Sequence, residues 1–221
     1  MGKPGGMPHK LPVLVVLHGY GADELDLLSI AEGVIEGGGG TEATHHAERI
    51  IISLQAPIPL PQGGFAWYHL EQTEGGLIPD ELSRHESEDA IVQSLAAIIE
   101  REGGDPHDVI LMGFSQGAAI CYSLITLYNF KNYGFTVRSV IAMSGYLPRD
   151  ILSPLSDKTF AGLPIFMSHG QFDDLIPDIA LKEAEDLLSQ HGANVTAKLY
   201  NAGHGVLPET VDDIVAWLET V

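Results

Sequence analysis

The chain has 221 residues, of which 45% are hydrophobic, and its 11 basic and 30 acidic residues give a formal net charge of −19 at pH 7. This length suits one large α/β domain, while the negative charge disfavours binding to nucleic acid and adsorption on anionic membranes. No apolar run reaches the roughly 18 residues of a membrane-spanning helix, so membrane insertion is not expected. Cys121 is the only cysteine, which excludes an intrachain disulfide and favours a reducing, cytoplasmic location.

Strand-like and helix-like segments alternate along the chain. Apolar runs rich in Val and Ile predict six strands, at Leu11–Leu17, Arg49–Leu54, Asp108–Met112, Val137–Met143, Leu163–Met167 and Val195–Tyr200. Helices are predicted between them, at Glu24–Glu36, Glu86–Glu102, Gln116–Tyr128, Asp178–His191 and Glu209–Glu219. Because most of the strands are continuously apolar, they are expected to be buried on both faces. The alternation therefore predicts an α/β fold with a mostly parallel sheet and helices on both faces.

The chain is expected to form a single domain over residues 11–221, preceded by a short N-terminal extension over residues 1–10. The run Gly37–Gly40 follows a predicted helix and is interpreted as a flexible loop. Residues 55–85 are too long for a plain connection and contain Trp67, Tyr68 and Leu77. Aromatic residues in a long loop favour an ordered segment, so it is predicted to form the wall of a substrate pocket. Residues 148–163 are a second irregular stretch, and no large lid is expected.

The pentapeptide Gly113–Gly117 contains the candidate nucleophile of the chain. It reads Gly-Phe-Ser-Gln-Gly and stands between the predicted strand that ends at Met112 and a segment free of Gly and Pro. Strand, G-x-S-x-G and helix in this order predict a nucleophile elbow, in which a strained turn exposes the hydroxyl of Ser115. The flanking glycines allow the strand and helix backbones to pass closely.

A serine nucleophile requires a base and an acid that orients the base, which follow in the order Ser, Asp, His in this fold. Of the histidines beyond the strand near Met167, His191 ends a helix before a glycine, where capping is a sufficient explanation. His204 lies in a glycine-flanked loop after the last strand and is the predicted base. Asp173 and Asp174 follow the penultimate strand, and by position alone either could be the acid.

The oxyanion of acyl transfer requires fixed N–H donors. One is expected to be the amide of Gln116, which follows the nucleophile. The other is expected to be the amide of Tyr20, since glycines on both sides let that backbone approach a ligand. His18 and His169 each precede a glycine after a strand and are interpreted as structural hydrogen-bonding residues. The chain has no H-E-x-x-H motif and no cysteine pair, so no metal is predicted.

These segments resemble the small carboxylesterase and acyl-protein thioesterase (phospholipase/carboxylesterase) family of α/β-hydrolases. The resemblance extends from Leu11 onward and rests on four ordered motifs, at Leu17–Gly21, Gly113–Gly117, His169–Pro177 and Gly203–Gly205. It implies that Asp173 is the acid and Asp174 is not catalytic. It also implies that the residue after the first His-Gly, here Tyr20, supplies an oxyanion amide, although many relatives have Leu there.

The resemblance further implies that the pair Trp67-Tyr68 lies beside the acyl site, although relatives commonly continue with Asp where this chain has His69. An N-terminal β-hairpin, usual in relatives, is not expected before Leu11. The family requires no cofactor, and its members often form homodimers. The resulting prediction is a serine hydrolase acting on small or medium acyl esters, with thioesters included. Alternative substrates are long-chain lysophospholipids or acylated proteins, and a non-catalytic ligand-binding protein is the alternative from another class.

Overall fold

The computed structural model describes residues 10–37, 48–74 and 76–221. Residues 1–9 of the predicted N-terminal extension and residues 38–40 of the predicted glycine loop therefore lie outside the described residues. Ten strands occur in the described part, at Leu11–Leu17 (β1), Ile50–Leu54 (β2), Ile58–Pro59 (β3), Phe65–Ala66 (β4), Leu70–Thr73 (β5), Gly76–Pro79 (β6), Gly104–Phe114 (β7), Val137–Met143 (β8), Pro164–Gly170 (β9) and Asn194–Tyr200 (β10). The α-helices of that part are Leu28–Glu36 (α1), Glu81–Arg101 (α2), Gln116–Leu127 (α3), Leu152–Ser156 (α4), Ile179–Gln190 (α5) and Pro208–Leu218 (α6).

Six of these strands form the central sheet, in the order β10-β9-β8-β7-β1-β2. Every neighbouring pair in it is parallel, as the apolar strand pattern predicts. The sheet separates two cores, because successive side chains of a strand point to opposite faces. Val13 and Val15 pack with α2, α3 and α5 on one face. Leu14 and Val16 pack with α1 and α6 on the other, which confirms the predicted α/β arrangement with helices on both faces.

Two predicted helix starts were wrong. Helix α2 begins at Glu81 rather than Glu86, because Asp80 caps it by accepting a hydrogen bond from the Ser83 amide at 2.8 Å. Helix α1 begins at Leu28 rather than Glu24. The preceding residues form turns, where the side chain of Asp23 accepts from the Leu25 amide.

Two predicted strands were too short. Strand β7 begins at Gly104, which pairs with Leu11, rather than at Asp108. Strand β9 continues to Gly170, so His169 lies in the strand and the loop that carries the predicted acid starts only at residue 171.

The two predicted irregular stretches contain short regular elements. Residues 55–85 include the antiparallel pairs β3–β4 and β5–β6 and the first turn of α2. Residues 148–163 include a 3₁₀ turn at Arg149–Ile151 and helix α4. Within the described ranges, no helix is both long and apolar enough to cross a bilayer.

Candidate active site

Ser115 occupies the turn between β7 and α3 with φ 54° and ψ −115°. Such a backbone conformation is strained for a residue with a Cβ. It is held by a hydrogen bond from the Ser115 amide to the Met143 carbonyl at 2.9 Å. A Cβ atom at Gly113 would lie 2.3 Å from the Gly117 carbonyl oxygen, and one at Gly117 would lie 2.0 Å from the Leu17 carbonyl oxygen. Both glycines are therefore required by the close approach of strand and helix.

The loop after β9 brings Asp173 to His204. The Nδ1 atom of His204 lies 2.7 Å from Oδ2 of Asp173. The Asp173 side chain is fully buried, and that of His204 is 12% exposed. Asp174 is exposed, so the structure pairs the first of the two candidate carboxylates with the predicted base.

Hydrogen bonds keep the buried carboxylate of Asp173 ionised. Burial alone would favour the neutral acid, but it is outweighed by donors from the Ile176 amide, His204 and the Leu175 amide, which together lower the pKa of Asp173. The two amides bond Oδ1 at 2.9 and 3.0 Å. An anionic Asp173 holds the proton of His204 on Nδ1, which leaves the Nε2 lone pair free to act as a base.

His204 lies beside the elbow. Its ring packs against Phe114, the residue before the nucleophile, with ring centroids 4.9 Å apart. A Cβ atom at Gly19 would lie 3.0 Å from the Phe114 ring and 3.5 Å from the Cβ of Ser115. The loop after β1, the elbow and the His204 loop therefore meet at the carboxyl ends of the parallel strands, where α/β sheets bind ligands.

The loop that carries Tyr20 is attached to strand β4. Gly21 donates to the Phe65 carbonyl at 2.9 Å, and Phe65 donates to the Ala22 carbonyl at 2.8 Å. Among the described residues, the amides of Tyr20 and Gln116 have no backbone acceptor. The amide of Gln116 is at the first position of α3, where helix geometry leaves N–H groups unpaired. These two amides are the predicted oxyanion donors.

Two buried histidines support the loops of the site. His18 accepts a hydrogen bond from the Ala56 amide on Nε2 at 3.1 Å, and its Nδ1 donates to the Gly19 carbonyl at 2.7 Å. Burial lowers the pKa of His18 against weaker opposing contributions, in keeping with this neutral tautomer. His169 donates from Nε2 to the Ile176 carbonyl at 2.8 Å, and the same nitrogen lies 3.2 Å from Oδ2 of Asp173.

The contact between His169 and Asp173 was missed by sequence reasoning, although the His-Gly pair had marked His169 as a hydrogen-bonding residue. The packing of Phe114 against His204 was missed as well, and no local pattern indicates it. His191 caps the end of α5 as expected, since its Nδ1 donates to the Leu187 carbonyl at 2.7 Å.

The three predicted substrate-binding residues occupy different environments. Trp67 and Tyr68 are 1% and 0% exposed, whereas Leu77 is 59% exposed on the β5–β6 hairpin. The hydroxyl of Tyr68 shares a 2.6 Å hydrogen bond with the hydroxyl of Tyr146. Tyr146 and Leu77 both line a cleft of about 1010 Å³. Substrate binding by these residues stays a prediction.

A buried ionic network lies in the wall of that cleft. Arg84, which is fully buried, contacts the carboxylates of Glu88 and Asp150. His85 joins the same two carboxylates, with Nδ1 3.1 Å from Glu88 and Nε2 3.1 Å from Asp150. Burial raises the pKa of Glu88, and Arg84 opposes the rise. The described residues contain no group of three His, Cys, Asp or Glu side chains arranged to hold a metal ion.

Known proteins share this architecture. A profile of the phospholipase/carboxylesterase family matches residues 5–221. Acyl-protein thioesterase 1 of Gibberella zeae is 30% identical over 194 residues, with 78% of this chain and 73% of the relative covered. A probable carboxylesterase of Oryza sativa subsp. japonica is 28% identical over 137 residues, with 58% of this chain and 48% of the relative covered.

A solved structure agrees with the fold. The carboxylesterase of Bacillus cereus superposes with a TM-score of 0.76 at 22% identity, over 95% of this chain and 88% of that chain. With the family profile spanning nearly the whole sequence, this chain belongs to the phospholipase/carboxylesterase family of α/β-hydrolases.

Proposed function

We propose that this protein is a serine hydrolase that cleaves carboxylic esters or thioesters through an acyl-enzyme on Ser115. The observation that carries the proposal is the pair His204–Asp173, joined at 2.7 Å, beside a serine held at φ 54°. This combination provides an exposed nucleophile, a base with a free Nε2 and an acid that fixes the tautomer of the base.

The reaction follows from these roles. The Oγ atom of Ser115 attacks the carbonyl carbon of the ester, and its proton passes to Nε2 of His204. The carbonyl oxygen becomes an oxyanion that accepts hydrogen bonds from the amides of Tyr20 and Gln116. When the intermediate collapses, His204 returns the proton to the departing alcohol or thiol. Water then repeats the sequence on the acyl-enzyme, which releases the acid and restores Ser115.

The cleft favours small or medium acyl groups. Buried Tyr68 stands between the cleft and the elbow, because its hydroxyl bonds to Tyr146 in the cleft wall and its carbonyl accepts from the side chain of Gln116 at 3.0 Å. Leu77 and Leu187 contribute apolar surface, but charged side chains interrupt that surface: Glu81, Arg84, Arg149, Asp150, Glu183 and Asp186. A long alkyl chain would lie against these charges and desolvate them at a cost.

The test is a series of p-nitrophenyl esters from acetate to palmitate, with Ser115→Ala and the exposed-helix control Ser94→Ala. We expect maximal kcat/KM at short or medium chains, loss of activity in Ser115→Ala and normal activity in Ser94→Ala. A maximum at palmitate would favour the lysophospholipase or acyl-protein thioesterase alternative. Ester hydrolysis at the wild-type rate by Ser115→Ala would refute the mechanism, and failure of a fluorophosphonate probe to label Ser115 would support a binding protein.

The remaining properties are proposals that rest on the resemblance and the composition. Residues 11–221 form one domain, since both cores pack on a single sheet. The protein requires no cofactor, does not bind nucleic acid, functions in the cytoplasm and forms a homodimer. Light scattering coupled to size-exclusion chromatography tests the dimer, which a mass near 24 kDa would refute, since one chain is 23.7 kDa.

A further inference from the structure

Trp67 connects the two halves of the proposed oxyanion site. Sequence reasoning assigned this residue to substrate binding, but its side chain is 1% exposed and lies between the loop after β1 and the elbow. Its amide and indole N–H groups and its carbonyl oxygen are all hydrogen-bonded, to three different parts of the chain. A residue with so many fixed contacts and so little free surface is suited to hold loops in place.

The first connection holds the elbow. The Trp67 amide donates to Oε1 of Gln116 at 2.9 Å, and Nε2 of Gln116 donates to the Tyr68 carbonyl at 3.0 Å. The Gln116 side chain is thus bonded at both ends to the 67–68 backbone. Because the amide of Gln116 is one proposed oxyanion donor, this pair of bonds sets the orientation of that residue.

The second connection holds the loop that carries Tyr20. The indole Nε1 of Trp67 donates to the His18 carbonyl at 2.9 Å, and its ring packs on the His18 imidazole with centroids 5.4 Å apart. His18 stands two residues before Tyr20, whose amide is the other proposed donor. The Trp67 carbonyl in turn accepts from the Ser87 hydroxyl of α2, so the bridging residue is itself held by a helix.

We propose that Trp67 is a positioning residue that sets the separation of the two oxyanion amides. This inference rests on the proposed function. Donors stabilise an oxyanion only within about 2.7–3.1 Å of its oxygen, so loss of the bridge would misplace one donor relative to the other. The penalty would fall on the transition state, in which the oxyanion exists, and leave the binding of the neutral ester nearly unchanged.

The test is Trp67→Phe, which keeps an aromatic ring and the backbone bonds but removes the indole donor. The matched control is Trp217→Phe, since Trp217 is also nearly buried but packs against Phe166 in the core on the opposite face of the sheet. With p-nitrophenyl butyrate we expect kcat to fall by about 10- to 100-fold in Trp67→Phe, with KM within about 2-fold. Trp217→Phe should retain the wild-type kcat.

A second readout reports on the oxyanion directly. A trifluoromethyl ketone with a matching acyl chain forms an anionic hemiketal with serine, so its inhibition constant should rise by the same factor as kcat/KM falls. If Trp67→Phe does not fold, Gln116→Met replaces it, because it removes both side-chain bonds and keeps the backbone amide. The same loss of kcat without a change in KM is expected of it.

The outcomes separate the two proposals. A Trp67→Phe enzyme with normal kcat and normal inhibition by the ketone, while Ser115→Ala is inactive, would overturn the role of Trp67 alone. A raised KM with normal kcat would do the same and return Trp67 to substrate binding. Full activity of Ser115→Ala would overturn the hydrolase mechanism and the positioning role together.

Discussion

His169 is expected to assist Asp173, the proposed acid, and its replacement tests this role. Its Nε2 donates to the Ile176 carbonyl at 2.8 Å and lies 3.2 Å from Oδ2 of Asp173, the oxygen that also accepts from His204. His169→Phe keeps a ring of similar shape and removes the donor. His169→Gln keeps an N–H at about the same distance from the backbone and serves as the matched control.

The structure sets the size of the effect. A hydrogen bond to a charged group is worth about 1.5–3 kcal/mol, but a donor shared with Ile176 and lying 3.2 Å from Asp173 should contribute less, about 1 kcal/mol. This corresponds to a loss in kcat/KM of roughly 5-fold. The unpaired carbonyl of the half-buried Ile176 should lower the free energy of unfolding by about 1–2 kcal/mol, or roughly 2–8 °C in Tm for a chain of this size.

The assay compares kcat/KM of both variants with that of the wild type from pH 8 down to pH 4.5. The pKa of Asp173 is lowered by donors that include the Ile176 amide, and His169 holds the Ile176 carbonyl at 2.8 Å. A shift of Ile176 in the Phe variant should therefore raise the pKa of Asp173. The Phe variant should then lose further activity, relative to the wild type, as the pH approaches the ordinary carboxyl range of about 4. His169→Gln should stay within about 3-fold of the wild type throughout.

Two results would refute this reasoning about His169. If the Phe variant melts several degrees lower but its kcat/KM matches that of the wild type at every pH, His169 only stabilises the loop. Equal losses in the Phe and Gln variants would also refute it, because the Gln side chain retains the donor.

Three further predictions concern stability. Arg84→Met should lower the free energy of unfolding by about 3–5 kcal/mol, because it removes the fully buried cation that contacts Glu88 and Asp150. Urea titration of the variant measures this loss, and a value below about 1 kcal/mol would contradict the prediction. Asp80→Ala should cost about 1 kcal/mol by removing a helix cap. Hydrogen bonding lowers the pKa of Asp80, so the difference in stability between this variant and the wild type should be present near neutral pH and vanish as the pH falls through that pKa. Thermal melts of both proteins at several pH values test this. Gly117→Ala should yield no folded protein, because its Cβ would lie 2.0 Å from the Leu17 carbonyl oxygen. Gly205→Ala is the control, since nothing lies within 4 Å of its Cβ position. Circular dichroism should show the wild-type spectrum for Gly205→Ala and a loss of structure for Gly117→Ala.

The fold could be predicted from the sequence because continuously apolar strands indicate burial on both faces of a parallel sheet. The errors lie at the ends of elements, where either a distant contact or a local cap sets the boundary. Strand β7 starts four residues before the predicted Asp108, because Gly104 pairs with Leu11 across the sheet. Helix α2 starts five residues before the predicted Glu86, because the side chain of Asp80 accepts a hydrogen bond from the Ser83 amide and caps the helix there.

The geometry of the candidate site was also predictable in part. Ser115, Asp173 and His204 each follow a strand that could be identified, and parallel strands bring their carboxyl ends together. Position alone could not distinguish Asp173 from Asp174, since the difference lies in which side chain turns inward to meet the Leu175 and Ile176 amides. The pattern likewise could not distinguish a Trp67 that contacts substrate from one that is buried.

The two proposed oxyanion donors differ in how their backbones are held, and this difference shows which part of the candidate site depends on contacts with residues far away in the sequence. The backbone at Gln116 is held by the elbow, through the bond from Ser115 to Met143 and through glycines that tolerate no Cβ, and its side chain is held by the 67–68 backbone. The Tyr20 loop has one turn bond of its own, from the Ala22 amide to the Gly19 carbonyl. It is also attached to strand β4 through Phe65 and to Trp67, residues more than forty positions away. A backbone conformation like that of Ser115 costs about 1–3 kcal/mol and persists only where several surrounding contacts hold it. The Tyr20 loop, which faces that turn, must be held equally precisely if both amides are to reach one oxygen. Variation in the 55–70 segment should therefore change kcat before it changes the fold.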